Sequence, residues 1–102
     1  MTDAGGTTTF EVIGNVGNFM LCKVSNDSVD DGETIPLDGP SNSPIVAEDQ
    51  VLILGGLNET TEKQIAGATL SVEYDETEMH FTVTESSITD DVVTILFLLL
   101  KN

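Results

Sequence analysis

The chain has 102 residues, with 18 acidic residues against three lysines and no arginine, for a formal net charge of −15. That length suits one domain, whose core removes about 65% of the unfolded chain's surface from water. Charge of that sign repels phosphate backbones and anionic lipid surfaces, which excludes nucleic-acid binding and membrane-surface binding as functions.

Self-repulsion of this size opposes a compact state in dilute salt. At about 1 M salt the Debye length falls to about 3 Å and most of that penalty disappears. The acidic excess therefore suits a high-salt setting. Cys22 is the single cysteine, so neither an intramolecular disulfide nor a cysteine-based metal framework can form. The opening Met1-Thr2-Asp3-Ala4-Gly5-Gly6 has no basic region followed by an apolar core, so no signal peptide is expected. The longest apolar run, over 91–100, is about half the roughly 20 residues that a membrane helix needs. Apolar content comes mainly from Val, Ile and Leu among many Thr, with four Phe, one Tyr and no Trp, which favours strands.

In chain order, residues 1–6 are small and polar and read as a flexible arm. A strand is expected over 7–13, with Phe10 and Val12 on one face. Gly14-Asn15-Val16-Gly17-Asn18 reads as a turn, because Gly and Asn tolerate positive φ. A second strand follows over 19–24, its more apolar face carrying Met20, Cys22 and Val24. Residues 25–32 read as an acidic loop ending in Asp31-Gly32, a strong turn signal. A short strand over 33–37 suits a sheet edge, since Pro36 has no N–H to donate. Residues 38–49 form the longest irregular segment, with Gly39-Pro40 and Pro44 inside it. A buried strand is expected over 51–54, closed by Gly55-Gly56. For 58–65 two readings stand: one helical turn capped by Asn58, or a surface loop.

Residues 69–74 alternate, with Leu70, Val72 and Tyr74 inward. Residues 78–84 alternate again, with Met79, Phe81 and Val83 inward and His80, Thr82 and Thr84 outward. Together they predict a hairpin. The closing strand over 91–100 is apolar on both faces: Val92, Leu96, Leu98 and Leu100 on one, Val93, Ile95, Phe97 and Leu99 on the other. Such a strand needs cover on both sides, from a central sheet position or from another subunit. Short links predict that it extends the 69–84 hairpin into a three-stranded meander. The whole reads as one all-β domain over 1–102, a small antiparallel β-sandwich or barrel of about six to seven strands.

Chemistry-bearing residues are few. His80, the single histidine, sits on the polar face of its strand, and no Gly-x-Ser-x-Gly elbow accompanies it. Cys22, beside Met20 and Val24, reads as a small core residue. Asp27, Asp30, Asp31 and Glu33 form the densest carboxylate cluster and are the calcium candidates, although their spacing is not that of an EF-hand loop; a solvated loop is the simpler reading. Asp90-Asp91 is a lesser candidate. Paired carboxylates could serve glycoside hydrolysis, but the chain lacks the aromatic residues that line such clefts. Asn26-Asp27-Ser28 and Asn58-Glu59-Thr60 match the N-glycosylation pattern. No catalytic residue, cofactor or enzymatic activity is assigned on these grounds.

Three segments carry a resemblance. Thr7-Thr8-Thr9-Phe10-Glu11-Val12-Ile13-Gly14-Asn15-Val16-Gly17-Asn18-Phe19, then Asp31-Gly32-Glu33-Thr34-Ile35-Pro36-Leu37, and finally Thr89-Asp90-Asp91-Val92-Val93-Thr94-Ile95-Leu96-Phe97 are similar to the strands of small virion proteins encoded beside the major capsid gene of tailed viruses. Residues 38–68 match nothing in that family. The resemblance implies a non-enzymatic capsid decoration (cement) protein on the virion surface, assembled as a homotrimer and contacting the major capsid protein or other virion proteins. It implies no catalytic residue. With the acidic composition it points to a virus of a haloarchaeon or halophilic bacterium. The arm 1–9 and the loop 38–50 are the expected shell contacts. A tail or fibre component is the nearest variant, and a β-sandwich module for carbohydrate or calcium is the reading from another class.

Overall fold

The structure, a computed structural model, describes residues 3–37, 50–75 and 78–100. Its strands are β1 (Thr8–Val16), β2 (Phe19–Val29), β3 (Thr34–Pro36), β4 (Gln50–Asn58), β5 (Lys63–Ile65), β6 (Leu70–Asp75), β7 (Glu78–Val83) and β8 (Asp91–Leu100). The sole helical feature among the described residues is a 3-10 turn at Gly67–Thr69. A five-stranded sheet in the order β1-β2-β8-β4-β5 faces a three-stranded sheet in the order β3-β7-β6. All strand pairs are antiparallel. The all-β expectation holds.

The core lies between the sheets. Phe97 of β8 is its hub: its ring meets Phe10 of β1 edge-on at 5.7 Å and Phe81 of β7 edge-on at 5.1 Å. Edge-to-face contact sets the positive rim of one ring against the negative face of the next. Burial along β8 follows the two-residue period: Val93, Ile95, Phe97 and Leu99 are fully buried, while Val92, Thr94, Leu98 and Leu100 are half-buried and Leu96 is exposed. The central placement expected for this strand is found. The meander is not. After β7 the chain crosses to the other sheet, where β8 pairs with β2 and β4, and β7 takes β3 and β6 as neighbours.

Five local expectations are corrected. The acidic loop over 25–32 is shorter, because β2 continues to Val29 and buries Asn26. The amide of Asn26 explains this: it donates to the Thr8 hydroxyl at 2.9 Å and accepts the Ser28 N–H at 2.9 Å, which satisfies a polar side chain inside a strand. β4 does not stop at Gly55-Gly56 but runs on to Asn58, with a bulge between Ile53 and Gly55. Leu52 and Leu54, expected in a buried strand, are 56% and 53% exposed. Residues 63–65, read as helix or loop, form the edge strand β5. Lastly, His80 and Thr82 point away from the core yet are buried. β7 is the middle strand, so Pro36 and Glu73 flank His80 on that outer face, and Thr34 and Ser71 flank Thr82.

The turn at Gly17-Asn18 closes the β1–β2 hairpin, with Gly17 at φ 61°. The β6–β7 hairpin forms as expected; its turn at 76–77 lies outside the described residues, as does the loop 38–49. From Asp3 onward the N-terminal segment lies against the sandwich. Asp3 bridges Thr34 in parallel, its carboxylate accepts the Thr34 hydroxyl, and the Ala4 N–H donates to the Thr34 carbonyl at 2.8 Å. Gly6 is required there: a Cβ would stand 2.2 Å from Asp27 Oδ1 and 2.6 Å from Asn26 Oδ1.

Candidate functional site

The residues expected to carry chemistry do not converge. Cys22 is fully buried on the inner face of β2, and burial pushes its thiol pKa up. That is the setting of a structural cysteine and not of a nucleophile. His80 lies on the outer face of the other sheet and is buried, which overturns its reading as an exposed strand histidine.

Three of the four calcium candidates accept backbone N–H groups. Asp27 Oδ1 accepts the Thr7 N–H at 2.8 Å, Glu33 Oε1 accepts the Asp30 N–H at 2.8 Å, and Asp30 Oδ1 accepts the Asp90 N–H at 2.7 Å. Asp31 is exposed. Among the described residues no group of three or more His, Cys, Asp or Glu is placed to hold a metal ion. Asp91, the other acidic candidate, accepts the Asn58 amide at 2.8 Å inside the sandwich. Both glycosylation patterns are closed as well. The Asn58 amide nitrogen is committed to Asp91, that of Asn26 to Thr8, and both residues are buried.

What remains is a surface. The outer face of the five-stranded sheet is rich in leucine. Gly14, Leu21, Leu98 and Leu52 are register neighbours across β1, β2, β8 and β4. The next row holds Glu11, Lys23, Leu96 and Gly55, with Leu54 in the bulge beside it. Leu52, Leu54 and Leu96 are exposed, and Leu21 and Leu98 are half-buried. Strand alternation produces this face directly, because β8 must carry apolar residues at both parities to place Phe97 inside and Leu96 and Leu98 outside. Lys23 pairs with Glu11 at 3.5 Å in the same row.

No family model, no curated protein and no solved structure matches the chain.

At one end of the face a shallow groove of about 550 Å³ opens, lined by Gly55, Gly56, Leu57 and Leu96, with Lys23 and Glu59 supplying charge. Its depth comes from missing side chains. A Cβ on Gly55 would meet nothing within 4 Å, whereas one on Gly56 would press on Leu70 at 2.9 Å. Gly56 thus lets β4 close onto β6, and Gly55 leaves the hollow outside. No aromatic ring lines the groove. Among the described residues no helix is long and apolar enough to cross a membrane.

The sequence carried a signal for this face: the double-sided apolar pattern of 91–100 called for cover on both sides. Leu52 and Leu54 were missed as part of it, because a short apolar run bounded by glycines looks the same whether it is buried or half-exposed.

Proposed function

We propose that this protein is a non-enzymatic structural component that works by assembly, as a decoration protein on the head of a tailed virus. The observation that carries the assembly part is the leucine face. Soluble single chains rarely leave a contiguous apolar patch beyond a few hundred Å² uncovered, and larger ones mark interaction sites. The virion part rests on the resemblance in 7–19, 31–37 and 89–97. The first and last of these supply β1, the start of β2 and most of β8, which are consecutive strands of the sheet bearing the face. A decoration protein stabilises a shell by burying apolar strand surface against neighbours, and extensive burial needs no catalytic group. A tail or fibre component would use the same surface at a different place on the particle.

The test is the composition of tailed particles whose genome encodes this chain. Purified particles should contain it at a fixed ratio to the major capsid protein, labelled on the head by antibody. Leu52→Asp should lower its retention. Particles without the chain would refute the proposal, and label confined to the tail would replace the head assignment with the tail variant.

A further inference from the structure

We infer that the leucine face is covered by a second copy of this chain, with the two five-stranded sheets packed face to face about a twofold axis. The inference builds on the assembly role proposed above and names the partner. Three observations favour a copy over a foreign protein.

The first is charge. The chain carries −15, so most of its surface repels another copy. Within the two leucine rows the charged residues among those described are Glu11 and Lys23, and they neutralise each other at 3.5 Å. Across these two rows two such chains meet no unpaired acid; Glu59 stands beyond them, at the Thr94 end of the groove. A basic partner would instead be drawn to the acidic surfaces elsewhere. The second is area. Four strands about 4.8 Å apart, each about eight residues of about 3.3 Å, give roughly 500 Å² in projection. Side-chain relief and a polar rim bring this toward the about 800 Å² per partner of a standard interface. The third is shape. The face holds its own complement: exposed Leu52 and Leu54 stand as knobs, and the Gly55 hollow is a socket. In a twofold contact each knob of one copy meets the socket of the other, and the contact closes at two chains.

Native mass measurement and sedimentation of the full chain at about 1 M salt, where long-range repulsion is screened, test the pairing. The wild type should run at twice the 10.9 kDa chain mass. Leu52→Asp should run as a monomer with an unchanged circular dichroism spectrum, since Leu52 is 56% exposed. Ser71→Asp makes the same charge change at an exposed residue of β6, in the other sheet, and should remain a dimer. Gly55→Leu, whose Cβ meets nothing within 4 Å, fills the hollow and should weaken the dimer about tenfold or more; it serves if Leu52→Asp does not fold. A monomeric wild type, a trimer, or a dimer indifferent to both Leu52→Asp and Gly55→Leu would overturn the inference. A monomer still found on virus heads would refute the pairing and leave the proposed function standing. A dimer absent from particles would do the reverse.

Discussion

Asn58 and Asp91 close one end of the β4–β8 pairing. The Asn58 amide donates to Asp91 Oδ2 at 2.8 Å while its carbonyl accepts the N–H groups of Thr60 and Thr61 at 3.1 and 3.2 Å. Both side chains are buried, so water cannot replace either partner. Asn58→Ala is therefore expected to cost about 1–3 kcal/mol, the penalty for leaving a buried polar group unpaired. The urea midpoint would fall with little change in slope; an unchanged midpoint would mean that the bond contributes nothing net. Cys22 gives a pH signature. Burial raises its pKa from the ordinary 9.0, because the thiolate is disfavoured in the core. The unfolded chain then loses the proton first. The stability that this thiol contributes is complete below pH 9 and is lost as pH rises through the folded value. Denaturant midpoints of the wild type and of Cys22→Val should diverge above pH 9, the wild type falling faster. Parallel curves would show that Cys22 titrates alike in both states.

At the scale of elements, the sequence revealed faces better than partners. Period-two alternation in 69–74 and 78–84 gave the β6–β7 hairpin and the inward Leu70, Met79, Phe81 and Val83. The same rule sorted β8 into its two faces. Alternation does not say which strand lies alongside, so the crossing of 84–90 from one sheet to the other was not legible; a link of that length serves a meander or a sandwich crossing equally. His80 and Thr82 were misread because polarity suggests exposure, whereas both are buried on the outer face of β7, as Thr34 is beside them on β3. β5, three residues long, is too short to show a period. Small polar residues look mobile in isolation, yet Gly6 is what allows the chain to pass against Asn26 and Asp27. Gly6→Ala should lift the N-terminal segment from β2 and β3, since its methyl carbon would stand 2.2 Å from Asp27 Oδ1. Overpacking of this kind costs about 1–3 kcal/mol. Amide exchange at Ala4 and Thr7, whose N–H groups donate to Thr34 and Asp27, should accelerate in the variant. Exchange as slow as in the wild type would show that the segment accommodates the methyl in place.

For the whole molecule, the governing quantity is charge per size. The chain has a radius of gyration of 12.5 Å and a net charge of −15. At 0.1 M salt the Debye length is about 10 Å, so each carboxylate still repels the others within about that distance on its own flank. At about 1 M it is about 3 Å, and only adjacent charges interact. Few cations offset the acids: Lys23 is already paired with Glu11, and Lys63 lies at the sheet edge. The melting temperature should therefore rise by about 10 °C or more between 0.1 M and 1 M sodium chloride, equivalent to roughly 2 kcal/mol for a domain of this size. Two causes could produce such a rise, screening of charge or salt-strengthened burial of apolar surface. Neutralising exposed acids separates them. Asp31→Asn, Glu62→Gln and Glu73→Gln together remove three negative charges from exposed positions. If repulsion is the cause, the triple variant melts higher than the wild type in dilute salt and the two curves converge near 1 M. If apolar burial is the cause, the variant and wild type rise in parallel. A melting temperature flat across the range would show that the acidic surface carries no long-range penalty, and would remove the physical ground for placing this protein in a high-salt environment.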